Sequence, residues 1–307
     1  MPVAAYAPPP PRTLKTLRRD LSIFAKYHLV RRPHDYPAPA EADMGVELLG
    51  FDADAHVRAL EEHAAHFDLR TLGHVSYEGR SFPVTWVQNR ASERAPRLLV
   101  LSGVHGNEHA GIVAVPRILA RLTQLAGGKA PAVSVGVVTP VNPVGAVYGS
   151  RFNGQGFDIN RDFKRFETVE ARLVRDVIAD FRPQLILSLH EGPQDASFVF
   201  ANRHTPAALA ERAIATLDTR GVLLASSDYF GRRLPAPGYA PTSRANHLAT
   251  KLWAATLGMM HTGMYADALG LPELTLESSW RGAEEDRVLA HVELVSALVE
   301  QLGSESA

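Results

Sequence analysis

Cysteine is absent from the 307-residue sequence, which excludes disulfide bonds, thiolate metal ligands and cysteine nucleophiles. A metal ion in this protein would have to be bound by His, Asp or Glu. Long apolar runs are lacking too: no stretch of about 18 apolar residues occurs, and we expect neither a membrane span nor a membrane partner. The net charge is only −1, which gives no indication of a nucleic-acid partner.

The N-terminal segment differs in composition from the rest of the chain. A proline run at residues 8–11 is followed by basic residues, with no uninterrupted apolar stretch and no small-residue cleavage site. This pattern does not fit a secretory signal, and we expect a cytoplasmic location. Residues 1–45 are predicted to form an extended proline-rich, basic arm with a short helix near residues 14–27. Residues 46–307 are predicted to form a single domain.

Segments of helical and strand character alternate along this domain. Helical spacing of apolar residues predicts helices over 56–67, 108–125, 169–181 and 284–302. Short β-branched or aliphatic runs predict strands over 84–87, 97–101, 133–138, 185–189 and 271–276. The alternation predicts an α/β fold with a mixed, largely parallel central sheet flanked by helices.

Polar residues follow the first of the buried strands in the order Ser-Gly-Val-His-Gly-Asn-Glu-His. Across such a glycine turn, His105 and Glu108 could bind one metal ion, although the same groups could simply cap a helix. With His109, the stretch also spells His-x-x-Glu-His, in which both histidines are ligands and the glutamate is a base. That arrangement needs a regular helix, and Gly106 and Asn107 are poor helix residues. We therefore interpret Glu108 as a ligand and His109 as a residue outside the site.

Three further segments carry polar groups, and two of them follow apolar runs. His190 follows the predicted strand 185–189, and Glu277 follows Leu-Thr-Leu. Residues 156–163 read Gly-Phe-Asp-Ile-Asn-Arg-Asp-Phe. Open α/β sheets bind ligands at the carboxyl ends of their strands, where these residues would lie. Each segment alone is also typical of an ordinary loop or strand terminus.

Taken together and in this order, the segments resemble the zinc carboxypeptidase (funnelin) family. The matching stretches are Ser76-Tyr77-Glu78-Gly79-Arg80, His105-x-x-Glu108, Asn142-Pro143, Arg151, Asp158-Ile159-Asn160-Arg161, His190 and Thr275-Leu276-Glu277. The sequence motif His-Gly-Asn-Glu also resembles that of the aspartoacylase and succinylglutamate desuccinylase branch. The resemblance implies that residues 46–307 are a zinc carboxypeptidase-like catalytic domain.

The resemblance also implies a metal site. One zinc ion per chain would be bound by His105, Glu108 and His190, with one coordination position open. Asp158 would accept the ring N–H of His105 and fix its orientation. Glu277 would be the general base, taking a proton from the attacking water and passing it to the leaving amine.

Substrate-binding roles are carried over in the same way. Arg151 would polarise the scissile carbonyl, and Asn160 with Arg161 would bind the terminal carboxylate of the substrate. The family's mobile phenol has no clear counterpart, and Tyr239 and Tyr265 are both candidates.

The predicted activity is hydrolysis of an amide bond adjacent to a free carboxylate, on a small peptide or an acylated amino acid. The residues at 76–80 favour a metallocarboxypeptidase or peptide amidase. The alternative is an N-acyl-amino-acid deacylase, which uses the same zinc chemistry. A third interpretation, an inactive carboxylate-binding module, predicts loss of the base or a ligand, and none is lost. Glu191, directly after the third ligand, has no role in any of these interpretations.

Overall fold

A computed structural model describes residues 48–229 and 231–305, together with the isolated positions 14, 18, 21, 25 and 29. The predicted arm over residues 1–45, and its short helix, therefore lie outside the described residues apart from those positions. Within the described part of the chain, no helix combines the length and apolar character needed to cross a membrane.

Eight strands and eight helices are described, with one short 3-10 turn at Ile159–Arg161. Strands β1 to β8 are Phe67–Tyr77, Arg80–Asn89, Arg97–Ser102, Ser134–Thr139, Leu185–Gly192, Phe198–Ala201, Tyr239–Pro241 and Glu273–Ser279. Helices α1 to α8 are Ala53–Glu61, His109–Ala126, Pro143–Tyr148, Val169–Phe181, Ala207–Thr219, Arg244–Leu257, Thr262–Ala268 and Glu284–Glu305.

All eight strands form one sheet in the order β1-β2-β4-β3-β5-β8-β6-β7. The four central strands, β4, β3, β5 and β8, are parallel to one another. β2 joins β4 and β6 joins β8 in antiparallel pairs, so the outer parts of the sheet are mixed. The predicted fold, a mixed sheet with a parallel centre and flanking helices, is confirmed.

The core lies on both faces of the sheet. Leu98 and Val100 of β3 pack on one face with apolar residues of α2, α5 and α8. Leu99 and Leu101 pack on the other face with residues of α3, α4 and α7. Because both faces are covered, the central strands are largely apolar, and most of their polar side chains lie near the strand ends.

Both boundaries of one predicted helix are wrong. The helix predicted over 56–67 is α1, which begins earlier because the side chain of Asp52 caps it by accepting from the amide of Ala55 at 2.9 Å. It also ends earlier, because Phe67 opens β1, which pairs along its length with β2. This long-range pairing overrides the local helical pattern.

Candidate active site

The ends of three neighbouring parallel strands bring the predicted site residues together. β3 runs into the turn that carries His105 and Glu108, and Glu108 occupies the position before the first residue of α2 without a side-chain capping hydrogen bond. In β5 and β8, His190 and Glu277 are direct partners in the parallel register. Gly106 is required in the turn, since a Cβ there would lie 2.0 Å from the backbone carbon of Gly145.

His105, Glu108 and His190 form a buried group whose donor atoms lie within 4.8 Å of one another. Glu108 Oε1 is 2.6 Å from His105 Nδ1, and its Oε2 is 2.7 Å from His190 Nδ1. The two histidine Nδ1 atoms face each other at 3.1 Å. Burial alone would raise the pKa of Glu108, but the two histidines hold it well below its ordinary value.

This donor set fits a divalent metal ion. Donors at roughly 2.0–2.1 Å around a tetrahedral zinc ion lie roughly 3.3 Å apart, close to the separation of the two ring nitrogens. Facing imidazole nitrogens cannot both present a proton, whereas both lone pairs can bind one cation. Two imidazoles and one carboxylate, with no thiolate, are typical ligands of a catalytic site.

Asp158 and Arg151 surround this group. Asp158 Oδ1 lies 3.3 Å from His105 Nε2, the ring nitrogen that points away from the other ligands. Arg151 donates from Nε and Nη2 to Asp158 Oδ2 at 3.0 and 2.9 Å, and its Nη1 lies 3.6 Å from Glu108 Oε1. Although burial opposes ionisation, the two arginines at positions 151 and 161 hold the pKa of Asp158 well below its usual range.

Glu277 is buried, with 9% of its surface exposed, on the strand beside His190. Gln194 fixes the end of β8 by donating to the carbonyl oxygens of Glu277 and Ser278 at 3.0 and 3.1 Å. Burial, and then the negative charge of Glu108, raise the pKa of Glu277 well above its ordinary value. The raised pKa makes this carboxylate a stronger base than an exposed one.

Asn160 and Arg161 lie in the 3-10 turn directly after Asp158. Asn160 is partly exposed, and its Oδ1 accepts from the amide of Thr262 at 3.0 Å. Arg161 is buried, and its Nη1 donates to the carbonyl of Asn160 at 2.7 Å. The guanidinium also lies 5.3 Å from the ring centroid of Trp253, so its orientation is fixed from two sides.

His109 is not part of the metal-binding group in the structure. Its Nε2 lies 3.0 Å from the carbonyl oxygen of Ala146 on α3, and its ring contacts Phe51 at 6.1 Å between centroids. The helix α2 begins only at His109, so the regular helix that would place His105 and His109 on one face does not exist.

Tyr229 is a residue of the site that sequence reasoning missed. Tyr229 lies close enough to Glu277, Arg161 and Arg151 for their charges to act on its hydroxyl group. Burial is the main cause of its raised pKa, and the negative charge of Glu277 is the next. Its ring packs 5.8 Å from that of Phe198. The surrounding segment between α5 and β7 has no helical or strand period, so no sequence signal pointed to it.

The two tyrosines considered from sequence lie elsewhere in the fold. Tyr265, on α7, packs against the rings of Phe163 and Phe166 at 6.1 and 5.2 Å, as a core aromatic does. Tyr239 begins the edge strand β7, where it pairs with Val199 of β6.

Comparison with known proteins agrees with this architecture. The family model for the succinylglutamate desuccinylase/aspartoacylase catalytic domain matches residues 94–223. Carboxypeptidase 2 of Trichophyton rubrum is 30% identical over 147 residues, which cover 45% of this chain and 27% of that protein. Carboxypeptidase 2 of Trichophyton tonsurans is 30% identical over 125 residues, covering 38% of this chain and 23% of that protein. The chain thus spans about a quarter of the length of the curated relatives that it matches.

Solved structures show the same fold at low sequence identity. A metallo-carboxypeptidase from Burkholderia cenocepacia has a TM-score of 0.56 and 17% identity, and the match covers 83% of this chain and 70% of that one. Carboxypeptidase A from Helicoverpa armigera has a TM-score of 0.56 and 14% identity, covering 94% and 80%. The predicted resemblance to carboxypeptidases and to the desuccinylase/aspartoacylase branch is confirmed, and the solved structures share the fold.

Proposed function

We propose that this carboxypeptidase-like chain is a zinc-dependent hydrolase that cleaves the amide bond next to a free carboxylate, as a metallocarboxypeptidase does. The observation that carries the proposal is the buried group of His105, Glu108 and His190, with Glu277 in register beside it on the next strand. A metal-ligand set and an adjacent base, both at the carboxyl ends of parallel strands, form the minimum machinery for metal-assisted hydrolysis.

His105, Glu108 and His190 would hold the zinc ion through two nitrogens and one carboxylate. When bound there, zinc would supply a Lewis acid that acidifies water and polarises a carbonyl group. Asp158 would keep His105 oriented, since its carboxylate faces the ring nitrogen that is not directed at the other ligands. The contacts of Arg151 Nε and Nη2 with Asp158 Oδ2 stabilise the ionised form of Asp158 in turn.

Glu277 is proposed to take a proton from the attacking water and deliver it to the leaving amine. Its burial beside His190 supports this role, because the raised pKa favours holding a proton in mid-reaction. Arg151 stands 3.3 Å from His105 Nδ1 and is partly exposed, which suits a donor to the developing oxyanion.

Asn160 and Arg161 are proposed to bind the substrate carboxylate. The guanidinium of Arg161 donates to a backbone carbonyl and lies against an indole ring, and a planar guanidinium in a fixed orientation matches a planar carboxylate. A fold neighbour, the metallo-carboxypeptidase from Pseudomonas aeruginosa, was solved with (2-guanidinoethylmercapto)succinic acid. That ligand carries carboxylates, which supports the same chemistry here.

The deacylase alternative shares all of these groups. The match of residues 94–223 to the desuccinylase/aspartoacylase domain supports the deacylase alternative. The carboxypeptidase relatives and fold neighbours favour a peptide substrate.

The proposal is tested with zinc-loaded protein and a panel of N-blocked dipeptides and N-acyl amino acids, with the released amino acid measured. We expect release from the dipeptides, loss of activity on chelation and its return with zinc. The Glu277→Gln variant at equal zinc content controls for contaminating peptidases. Absence of release from every substrate by fully zinc-loaded protein would contradict the proposal.

A further inference from the structure

We propose that His261 is a further substrate-binding residue, whose ring N–H donates a hydrogen bond to the substrate carboxylate beside Asn160 and Arg161. The inference rests on the proposed function and adds a residue to it. Three features of His261 support this role: its position opposite the two carboxylate-binding residues, the orientation of its ring, and a ring nitrogen without a partner in the described part of the chain.

The backbone holds His261 opposite Asn160 and Arg161. The amide of the preceding residue, Met260, donates to the carbonyl oxygen of Arg161 at 3.1 Å. The amide of the following residue, Thr262, donates to Asn160 Oδ1 at 3.0 Å. Because both neighbours of His261 are hydrogen-bonded to the carboxylate-binding pair, the position of His261 relative to that pair is fixed.

The same segment also approaches the metal-binding group. The hydroxyl oxygens of Thr262 and Ser188 are 3.3 Å apart, and Ser188 lies two residues before His190 on β5. The charges that act on the ring of His261 include those of Arg161 and His190. A substrate with its carboxylate at Arg161 and its scissile bond at the metal-binding group would therefore pass beside this ring.

The ring of His261 is oriented by α7. Its Nδ1 accepts from the amide of Met264 at 3.3 Å, where it caps the helix. A ring nitrogen that accepts a hydrogen bond carries no proton, so the proton of neutral His261 is on Nε2. Burial, and then the positive charge of Arg161, lower the pKa of His261 to about 3, so the ring is neutral at pH 7. His261 thus presents Nε2–H as a donor.

This donor has no acceptor within residues 48–229 and 231–305, and the side chain of His261 is partly exposed. Asn160 is similar: its Oδ1 accepts from Thr262, its Nδ2 has no partner in these ranges, and the residue is partly exposed. A carboxylate has two oxygens and roughly four lone-pair positions, enough to accept from His261, Asn160 and Arg161 together. Hydrogen bonds to an ionised acceptor are also stronger than those between neutral groups.

A capping role alone does not account for histidine at this position. Short polar side chains cap four other helices, which are α1, α3, α4 and α6, and these caps are Asp52, Asn142, Thr168 and Ser243. Such residues are the preferred N-caps. His261 caps α7 with Nδ1 in the same way, but it adds a second ring nitrogen that capping does not use.

Two substitutions separate the donor from the cap. His261→Asn keeps a side-chain acceptor close to the backbone, where Nδ1 lies, and removes Nε2–H. His261→Gln places an amide N–H near the position of Nε2 and weakens the cap. A residue that only caps α7 should tolerate Asn better than Gln. A residue that binds the carboxylate should show the opposite order in ligand binding.

Binding is measured by calorimetry on the zinc-loaded full chain with L-leucine, L-phenylalanine, L-lysine and L-glutamate, each compared with its α-amide. For the amino acid that binds most tightly, we expect His261→Asn to weaken binding about 10-fold or more, the scale of one hydrogen bond to a charged group. Binding of the amide should stay unchanged, and His261→Gln should stay within about 3-fold of wild type. Wild-type affinity for the acid in His261→Asn, or no binding of any acid by wild-type protein, would overturn the proposal.

Nitrogen NMR of wild-type protein provides a measurement that needs no variant. We expect the ring of His261 to be protonated on Nε2, and the Nε2 resonance to shift when the amino acid is added but not when its amide is added. A purely structural histidine would show the same small response to both ligands. An Nε2 resonance that ignores the acid would overturn the proposal even if His261→Asn failed to fold.

Turnover distinguishes this inference from the proposed function. On N-blocked dipeptides, His261→Asn should raise KM about 10-fold and change kcat little, because the lost bond holds the substrate and not the reacting atoms. If dipeptides are cleaved with unchanged KM, the hydrolase proposal stands and the role of His261 fails. If none is cleaved, calorimetry and NMR still decide whether His261 binds a carboxylate. His66→Asn, the same change at an exposed histidine between α1 and β1, is the matched control and should behave as wild type.

Discussion

The Nε atom of Arg287 donates a hydrogen bond to Glu191 Oε1 over 2.7 Å, with both side chains buried. Glu191 also accepts from the amide of Ala110 in the first turn of α2 at 2.8 Å, and its own amide donates to Glu108 Oε2 at 3.2 Å. This glutamate thus connects three parts of the chain: the strand β5 that carries His190, the turn before α2 that carries Glu108, and the C-terminal helix α8. Through Glu191, a residue on α8 stabilises the position of the proposed ligand Glu108.

Replacing Arg287 with Met should weaken both the fold and the metal site. The buried Glu191 carboxylate would lose its cation, a change that costs about 3–5 kcal/mol in the free energy of unfolding. We also expect zinc affinity to fall by about 10–100-fold, the range for losing support of a ligand. Urea unfolding and competition with a zinc chelator measure the two effects.

A double-mutant cycle provides the control. Adding Glu191→Gln to Arg287→Met removes the unpaired charge and should restore part of the lost stability. Additive effects of the two substitutions would contradict direct coupling between the residues.

Zinc content should depend on His190 but not on His109. His190→Ala removes a nitrogen that lies 2.7 Å from Glu108, whereas His109 is directed to a carbonyl on α3. After purification in zinc-containing buffer, we expect about one zinc per chain in wild-type protein and in His109→Ala, and markedly less in His190→Ala. Full zinc content in His190→Ala would exclude it as a ligand.

His190 and Glu277 could be predicted from the sequence because most other residues of their strands, β5 and β8, are apolar and buried. His190 and Glu277 are polar interruptions directly after apolar runs, and parallel strands place such interruptions at one edge. The alternation of strands and helices predicted the parallel centre for the same reason. In the centre of the sheet, the local sequence pattern and the overall fold therefore favour the same structure.

Other parts of the site depend on contacts between distant segments. Tyr229 lies in an aperiodic stretch, and its proximity to Glu277 follows only from the path of the chain between α5 and β7. The partner of Glu191 is 96 residues away, on α8. Glu273 is the first residue of β8, and its burial under α7 could not be read from its sequence neighbours.

Glu277→Gln should keep zinc and the fold and lose nearly all turnover. The amide has the same size as the carboxylate but cannot accept a proton from water. The measurements are zinc content, thermal unfolding and kcat on a cleaved dipeptide. Most of the activity remaining, at unchanged zinc content, would exclude Glu277 as the base, and Glu191 or Glu273 would be tested next.

Glu170 should make stability depend on pH. Burial raises its pKa to about 7 from an ordinary value of 4.5, and Asn153 donates to both of its oxygens at 3.1 and 3.2 Å. The folded protein holds this proton more tightly than the unfolded chain. The free energy of unfolding should therefore fall as pH rises from about 4.5 to about 7, by up to about 3 kcal/mol from this group.

Comparison with Glu170→Gln isolates that contribution, since glutamine keeps an oxygen for Asn153 and cannot ionise. Urea unfolding at several pH values should show a shallower fall for the variant over this interval. Parallel curves for wild type and variant would show that Glu170 does not titrate differently in the folded state.

The carboxylate-binding role of Arg161 predicts discrimination against amidated substrates. Amidation of the C-terminus removes the charge that the buried guanidinium would bind, at a cost of roughly 2–5 kcal/mol, or about 30-fold or more in kcat/KM. The competing interpretation is a purely structural arginine. Its Nε lies 4.0 Å from Asp158 Oδ2, a longer contact than the 2.9 Å between Arg151 Nη2 and the same oxygen.

Arg161→Met separates the two interpretations. Methionine can still pack against Trp253, so the fold should survive, while the free-acid dipeptide becomes as poor a substrate as the amidated one. Arg117→Met, at an exposed arginine paired with Glu285, is the matched control and should keep the wild-type discrimination. A structural arginine would instead lower stability and leave the ratio of the two substrates unchanged. If wild-type protein cleaves both forms equally well, no carboxylate is recognised, and the carboxypeptidase proposal and its deacylase alternative both fail.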